Sequence, residues 1–304
     1  MPSLIDLRRR IRSVKNTQQI TKAMKMVSAA KLRRAQDRVI AARPYANLMR
    51  EMLTSLIAAA QSDADASESP WLAKREIKRV DLIFITSDKG LAGAFNSNLI
   101  KASQRFFTEH GAHELTLTLI GRKGRDYYRR RHGKILSEHI NILNRPTYED
   151  AAEVAREVIR RYREGETDAV YLLNNEFKSV MVQRLSVMQL LPLEQGSSDG
   201  KEQQQSAQAQ SVVRDQQTTD YIYEQSPVEM LDRLMPRYVE VAVFRGMLET
   251  VAAEHAARMT AMDKASTNAK EVIDTLTLNM NRIRQAAITK EIIEVVSGAA
   301  AAAE

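Results

Sequence analysis

The pattern that decides the fold lies in residues 8–36, RRRIRSVKNTQQITKAMKMVSAAKLRRAQ. This stretch contains no glycine, and the chain has none before Gly90. Glycine is a residue that weakens helix interiors, so one long amino-terminal helix is predicted. Ser3 and Asp6 have the spacing of a capping box, which places the start of this helix.

Apolar residues recur in the first sixty positions at alternating steps of three and four, the spacing of a coiled-coil seam. The predicted seam comprises Leu4, Leu7, Ile11, Val14, Leu32, Ala35, Val39, Ala42, Ala46, Met49, Leu53 and Leu56. Between its apolar parts the same register turns polar, at Gln18, Thr21, Lys25 and Ser28. Pro44 lies off the seam, where it is expected to kink or break the helix.

A second long helix is predicted at the carboxyl end, starting at Ser226 with Pro227 in its first turn and running to about Ser297. Its seam comprises Val241, Phe244, Leu248, Val251, His255, Met262, Ala265, Ala269, Val272, Leu276 and Ile283, and Arg258 and Asn279 interrupt it. Pro236 is expected to bend its start. Paired antiparallel with the shorter first helix, it would leave 288–303 projecting, an apolar tip that needs a partner in water.

The middle of the chain changes character, because nine of the eleven glycines lie between Gly90 and Gly200. Strands are predicted at 80–87, 115–120, 169–173 and 184–191, and helices at 98–110 and 147–164. Alternating strands and helices indicate a small parallel α/β domain. The Gln/Ser-rich segment 195–217 has the composition of a disordered insertion.

The predicted fold class is therefore an α+α/β architecture, in which a long antiparallel coiled coil of the terminal helices accompanies a small Rossmann-like domain. The chain is expected to divide into four segments. The coiled-coil helices occupy 1–60 and 221–304, the α/β domain occupies 76–195, and the insertion occupies 196–220.

Composition excludes several classes of protein. The absence of cysteine excludes disulfides, thiol catalysis and Cys-ligated metals. No signal peptide or spanning helix is predicted, so the chain is expected to be soluble and cytosolic. Residues 1–60 carry thirteen Lys/Arg and three Asp/Glu within a chain of net charge +7. This basic helix could meet nucleic acid, a membrane surface or an acidic protein, and the scarcity of aromatic residues favours the protein.

Two further segments allow more than one interpretation. The loop Ser87–Ala94 follows a strand, but it lacks the GK[ST] ending of a P-loop and the GxGxxG of a dinucleotide fold, which favours a structural turn over a nucleotide site. Residues 121–131 form a basic patch for which a solvated face is favoured over a binding site. His255 is expected to be a seam residue, since no second His or Cys completes a metal site.

Four stretches resemble the gamma subunit of bacterial rotary F-type ATP synthases. They are residues 8–36, quoted above, ARMTAMDKASTNAKEVIDTLTLNMNRIRQAAITKEIIEVVSGAAA at 257–301, SDKGLAGAFN at 87–96 and LLPL at 190–193. The Gln-rich insertion departs from the family pattern. An alternative from another functional class is a basic coiled-coil protein that binds nucleic acid. A weaker alternative is an enzyme that uses the Ser87–Ala94 loop as a nucleotide site.

The resemblance implies a non-catalytic rotor shaft without catalytic residues, cofactor or metal. Its partners would be three alpha and three beta subunits around the coiled coil, the epsilon subunit and the c ring, with no nucleic acid and no direct membrane insertion. Proton flow would turn the c ring and the shaft, and so drive ATP synthesis at the cytoplasmic face of the inner membrane. The c ring selects the coupling ion, so this chain is compatible with protons or sodium.

The resemblance also implies roles for particular residues. Met24, Lys25, Arg258, Arg284, Gln285 and Thr289 match family positions that contact the stator. The tip in an apolar sleeve would comprise Ile292, Ile293, Val295 and Val296. Tyr221, Tyr223 and Glu224 match the foot, near epsilon and the c ring.

Overall fold

The computed structural model describes residues 3–60, 69–71, 75–131, 134–193 and 225–303. The segment 196–220, predicted to be disordered, lies outside the described residues. The chain divides into two compact units. We call Met1–Lys31, Leu91–Gly93 and His255–Glu304 the helical unit, and Leu32–Gly90 with Ala94–Glu254 the sheet unit. Within the described ranges, no helix is long and apolar enough to cross a membrane.

Two long helices, α1 at Leu4–Ala60 and α5 at Pro227–Ala303, contribute residues to both units. The Ser3 hydroxyl accepts from the Asp6 amide at 3.2 Å, and the Asp6 carboxylate accepts from the Ser3 amide at 3.3 Å, which is the predicted capping box. Ser226 caps α5 by accepting from the Glu229 amide at 3.3 Å.

A break of α1 at Pro44 is wrong, and the kink expected at Pro44 and the bend expected at Pro236 stay predictions. Both helices continue through Pro44 and Pro236. A proline removes one backbone donor and crowds one turn. The hydrogen bonds and packing of the turns on either side maintain the helix in both places.

Within the sheet unit, α1 and α5 run antiparallel. Arg43 forms an ion pair with Glu249 at 3.6 Å, and Arg245 donates to the Asn47 side chain at 3.4 Å, so rising numbers on α1 meet falling numbers on α5. The seam residues predicted on this part of α1 are buried with the exception of the half-buried Ala42; the buried ones are Leu32, Ala35, Val39, Ala46, Met49, Leu53 and Leu56.

The sheet has five strands in the order β3-β2-β1-β4-β5. The first four are parallel, and β5 is antiparallel to β4. The strands are β1 Arg79–Ile85, β2 Glu114–Ile120, β3 Lys134–His139, β4 Ala169–Phe177 and β5 Gln183–Leu191. The helices between them are α2 Phe95–Glu109, α3 Arg122–Tyr128 and α4 Tyr148–Arg163. Thr147 and Asp150 form the capping box predicted for α4.

The sheet differs from the predicted parallel sheet by an additional strand and by an antiparallel hairpin. First, β3 was not predicted, because KILSEH is a short, half-buried edge strand with a polar composition. Second, β4 extends past the predicted end at Leu173 through Asn174–Phe177, which pair with β5 in a hairpin. Those residues are too polar to show the apolar run typical of a buried parallel strand.

At the amino end of the sheet, a buried carboxylate anchors the start of β1. Asp168 accepts from the backbone N–H groups of Lys78 at 3.0 Å and Arg79 at 2.8 Å, and from the Arg79 guanidinium at 3.2 Å. Burial alone would raise the pKa of Asp168, but these three donors outweigh it and hold the pKa below its usual value.

We predict that Asp168→Asn lowers the free energy of unfolding of the sheet unit by about 1–3 kcal/mol at pH 7, because the donors lose a charged acceptor. A carboxylate with a lowered folded pKa stabilises above the unfolded pKa of about 3.9, and this contribution is lost as the pH falls through the lower folded value. The difference between wild type and variant should therefore shrink below pH 4. Trp71, stacked on Tyr162 at 5.8 Å, reports urea unfolding by its fluorescence.

The matched control is Asp126→Asn, which removes an exposed ion pair with Arg125 and should cost less than about 0.5 kcal/mol. Equal losses in the two variants, or an Asp168→Asn deficit that grows in acid, would contradict the anchoring role.

Candidate functional site

In the helical unit, two polar contacts fix the register between α1 and α5. The hydroxyl oxygens of Thr21 and Ser266 lie 2.7 Å apart, and the Lys25 ammonium lies 2.6 Å from the Asp263 carboxylate. Thr21 also donates to the Gln18 carbonyl at 3.0 Å, so its hydroxyl accepts the proton of Ser266. The pairing 21 with 266 and 25 with 263 is antiparallel, and it confirms the coiled coil predicted from the seam.

In the polar part of the predicted seam, Thr21 and Ser28 are buried, while Gln18 and Lys25 are half-buried. Thr21 is 8% exposed and Ser28 is 3% exposed, comparable with the apolar seam residues Leu7 and Met262. Lys25 differs, because 42% of its side chain reaches solvent beside Asp263. Small hydroxyl residues let helix backbones approach closely, and their hydrogen bonds satisfy the polar atoms that burial would otherwise penalise.

Arg258 was predicted to interrupt the seam, but it is buried, with only 7% of its surface exposed. One of its guanidinium nitrogens lies 3.3 Å from the His255 Nδ1. The arginine therefore belongs to the packed face of α5, where its aliphatic stem can cover apolar surface.

One predicted seam position is wrong. Val272 is 45% exposed, whereas the next residue, Ile273, is half-buried. A heptad seam advances 3.5 residues per turn and a straight helix 3.6, so the contact face drifts by one position along a long helix.

Beyond this paired region, α5 presents an exposed face that mixes polar and apolar side chains. Arg284, Ile288 and Ile292 are spaced by four residues and lie along one face. Gln285 and Thr289 lie beside them, and the Thr289 hydroxyl donates to the Gln285 carbonyl at 3.0 Å, which leaves its lone pairs open to an external donor. The exposed fraction is 57% for Ile292 and 71% for Val295.

The loop residues 91–93 also belong to the helical unit. Leu91 is 65% exposed in the left-handed region at φ 63°, a conformation that costs energy for a bulky side chain. Gly93 follows at φ 57°, and a Cβ there would lie 3.7 Å from the Ala261 Cβ. The backbone of this loop therefore approaches α5 at Ala261.

In the sheet unit, the first residues of the Ser87–Ala94 loop use their polar groups internally. The Ser87 hydroxyl donates to the Lys89 carbonyl at 2.6 Å, and its amide donates to Asn96 Oδ1 at 3.1 Å. Asp88 Oδ1 accepts from the amides of Arg122 and Asn141, at 3.0 and 3.1 Å. Donors already engaged in this way are not free to cradle a phosphate, which favours the structural-turn interpretation.

Helix α5 packs on the sheet beside the point where an α/β sheet of this kind would bind a nucleotide. That point lies between β1 and β4, where the strand order reverses direction. A Cβ at Gly246 of α5 would lie 3.0 Å from Leu172 and 3.3 Å from Ile85, at the end of β1. A side chain there would force Leu172 or Ile85 to shift by a few tenths of an ångström, so glycine lets α5 pack closely on this face of the sheet.

The basic patch at 121–131 surrounds the short helix α3. Arg125 pairs with Asp126 at 2.8 Å, Arg122 donates to Asn141 at 3.0 Å, and the Arg131 guanidinium lies 4.1 Å from the centroid of the Tyr127 ring. These local contacts favour the interpretation as a solvated face.

The structure thus places the predicted stator-contact and tip residues in the helical unit. Met24, Lys25 and Arg258 lie on its paired part, while Arg284, Gln285, Thr289 and the tip lie on the exposed part of α5. The foot residues Tyr221, Tyr223 and Glu224 lie outside the described residues. Sequence reasoning missed Asp263 and Ser266, whose only local signal is the mixture of polar and small residues in 260–270.

This geometry first defines a class: a coiled-coil subunit whose terminal helices pair antiparallel and whose Rossmann-like sheet packs against the carboxyl-terminal helix. The family model described as ATP synthase matches residues 3–302. An ATP synthase gamma chain from Solibacter usitatus is 58% identical over 99% of this chain and all of its own length. One from Geobacter sp. strain M21 is 48% identical over 98% of each chain.

Among solved structures, a chain of the central stalk and c ring of the mitochondrial ATP synthase of Tetrahymena thermophila aligns with a TM-score of 0.61 and 26% identity, over 81% of this chain and 99% of its own. The chain belongs to the ATP synthase gamma chain family, the rotor subunit of the central stalk. The comparisons give no support to the nucleic-acid alternative.

Proposed function

We propose that this chain is the non-catalytic shaft that couples rotation of a c ring to ATP synthesis, and to hydrolysis in reverse. The observation that carries the proposal is the antiparallel pairing of α1 and α5 around Thr21–Ser266, followed by an unpaired, exposed carboxyl-terminal stretch of α5. Three alpha and three beta subunits would surround this pair, and epsilon and the c ring would bind the foot.

A paired helix suits this task because torque must pass along it without unwinding it. Each helix alone could twist, whereas two helices joined by side-chain packing at every turn resist relative rotation. The shaft acts through contacts that differ between the conformational states of the catalytic subunits, which is what a coupling element requires.

The neck of the shaft is proposed to be Met24, Lys25 and Arg258, opposite an acidic element of the beta subunit. Met24 is half-buried and uncharged, so it fills space without fixing one angular position. The neighbouring cation Lys25 is already paired with Asp263 within the shaft, which tempers its attraction to an external carboxylate.

The stator contact further along α5 is proposed to be Arg284, Gln285 and Thr289. All three are exposed, so they can reach loops of the catalytic subunits. A hydrogen bond to a charged partner contributes about 1.5–3 kcal/mol, which biases one state yet breaks during a rotation step.

The tip, comprising Ile292, Ile293, Val295 and Val296, is proposed to turn in an apolar sleeve of the alpha and beta subunits. These side chains are 57–71% exposed in the isolated chain. Apolar contacts are non-directional, so they hold the tip laterally while opposing its rotation little.

The division into helices at 1–60 and 221–304, an α/β domain at 76–195 and an insertion at 196–220 belongs to the same proposal. So does a foot at Tyr221, Tyr223 and Glu224, which would lie at the c ring and epsilon. The chain would then be a peripheral protein at the cytoplasmic face of the inner membrane. The family assignment and the exposed face of α5 support this arrangement.

We predict that Met24→Lys lowers the ATP yield per proton while the complex still assembles. The new ammonium can pair with an acidic group of the stator and over-stabilise one angular position by about 1.5–3 kcal/mol. The measurement compares ATP synthesis with proton pumping in inverted membrane vesicles.

Two controls sharpen this test. Met24→Ala removes the side chain without adding charge and should stay close to wild type. Met26→Lys adds the same charge at a residue 60% exposed on another face of α1. Unchanged coupling in Met24→Lys, or an equal loss in Met26→Lys, would refute the proposed neck position.

A second prediction concerns the carboxyl-terminal contact. Arg284→Ala should slow ATP hydrolysis by the assembled complex several-fold, because one charge-assisted hydrogen bond to the stator is lost. Lys290→Ala removes a charge from the same helix, but Lys290 pairs with Glu294 at 3.4 Å within α5, and its loss should leave the rate close to wild type. Equal rates in the two variants would count against Arg284 as a stator contact.

A further inference from the structure

A cleft in the sheet unit lies between one face of the β4–β5 hairpin and the two long helices. On the hairpin, Asn174 stands opposite Ser186 and Glu176 stands opposite Arg184. These cross-strand pairs point to the same face because side chains alternate along each strand.

The lining of the cleft is predominantly basic. Its cations are Arg50, Lys178, Arg184 and Arg245, and its carboxylates are Glu176 and Glu249. Glu249 is 2% exposed, and two guanidinium groups already neutralise it, that of Arg245 at 3.1 Å and that of Arg43 at 3.6 Å. Four cations line the cleft against two carboxylates, so its lining retains an excess of positive charge.

Two of the cations keep their charge available. Arg50 places Nη2 3.3 Å from the Met188 sulfur, a weak acceptor, and none of the described carboxylates lies within ion-pair range of Arg50. Lys178 is an exposed residue of the lining and likewise makes no ion pair within the described ranges. A guanidinium held beside a thioether retains donors in a fork that matches phosphate oxygens.

The position of the cleft in the fold strengthens the argument. It lies at the carboxyl end of β4, beside the point where the strand order reverses and where α/β sheets bind their ligands. Gly246 packs α5 against Leu172 and Ile85 on this sheet, and the cleft opens next to that contact.

We propose that this cleft binds an anion with phosphate chemistry, either inorganic phosphate or the polyphosphate of a nucleotide. Arg50 supplies a guanidinium fork from α1, while Lys178 supplies charge from the hairpin. Ser186 and the amide of Asn174 add neutral hydrogen bonds. Glu176 sits at the same site as an opposing charge and limits the affinity.

The test uses the full-length chain and calorimetric titration at fixed ionic strength with phosphate, pyrophosphate and ATP. Saturable binding is expected, and pyrophosphate should bind more tightly than phosphate. Equal affinity for ATP and pyrophosphate assigns the site to the polyphosphate alone, whereas much tighter ATP binding assigns it to a nucleotide. Arg50→Gln should weaken binding at least tenfold. The matched control Arg130→Gln removes one charge from the basic patch and should change nothing.

Two further variants test the cleft, one expected to tighten anion binding and one expected to weaken it. Glu176→Gln removes the opposing charge and should tighten binding several-fold. Lys178→Ala, at an exposed position where folding is not at risk, should weaken it. Absence of saturable binding, equal effects of Arg50→Gln and Arg130→Gln, or no tightening in Glu176→Gln would overturn the proposal.

Discussion

The structure depends on the mutual burial of α1 and α5, the first and last helices of the chain. Within the helical unit, a short polar section of seam joins them, with Thr21 bonded to Ser266 and Lys25 to Asp263. Within the sheet unit the same two helices pack through an apolar seam, and Arg43 and Arg245 meet Glu249. Without this pairing, neither helix would have a partner for its buried face. Long helices are stabilised by packing more than by the intrinsic helix propensity of their residues.

The close packing of α5 on the sheet depends on a single glycine. Gly246 lets α5 pack closely against Leu172 and Ile85, beside the point where sheets of this topology bind nucleotides. The sheet is therefore a support for helices. The loop after β1, with its internal hydrogen bonds from Ser87 and to Asp88, fits the same role.

Local patterns predicted the helices and their starts, because a capping box joins residues three positions apart and a heptad repeats within one segment. The carboxyl-terminal face of α5 follows from the same periodicity. By contrast, the bond between Thr21 and Ser266 joins residues 245 positions apart, and no local pattern carries its register. The edge strand β3 and the polar end of β4 were not predicted, because pairing with the neighbouring strands makes them strands, while their own composition does not indicate it. The basic cleft could not be predicted, since three separate segments build it.

The absence of cysteine from the chain makes the central claim directly measurable. Thr21→Cys and Ser266→Cys together place two thiols where the hydroxyl oxygens lie 2.7 Å apart, within reach of a disulfide. In the assembled complex, oxidation should cross-link the two positions nearly completely and leave rotation-coupled ATP hydrolysis intact, since the two helices turn as one body. No cross-link, or a cross-link that stops hydrolysis and is reversed by reduction, would contradict the account.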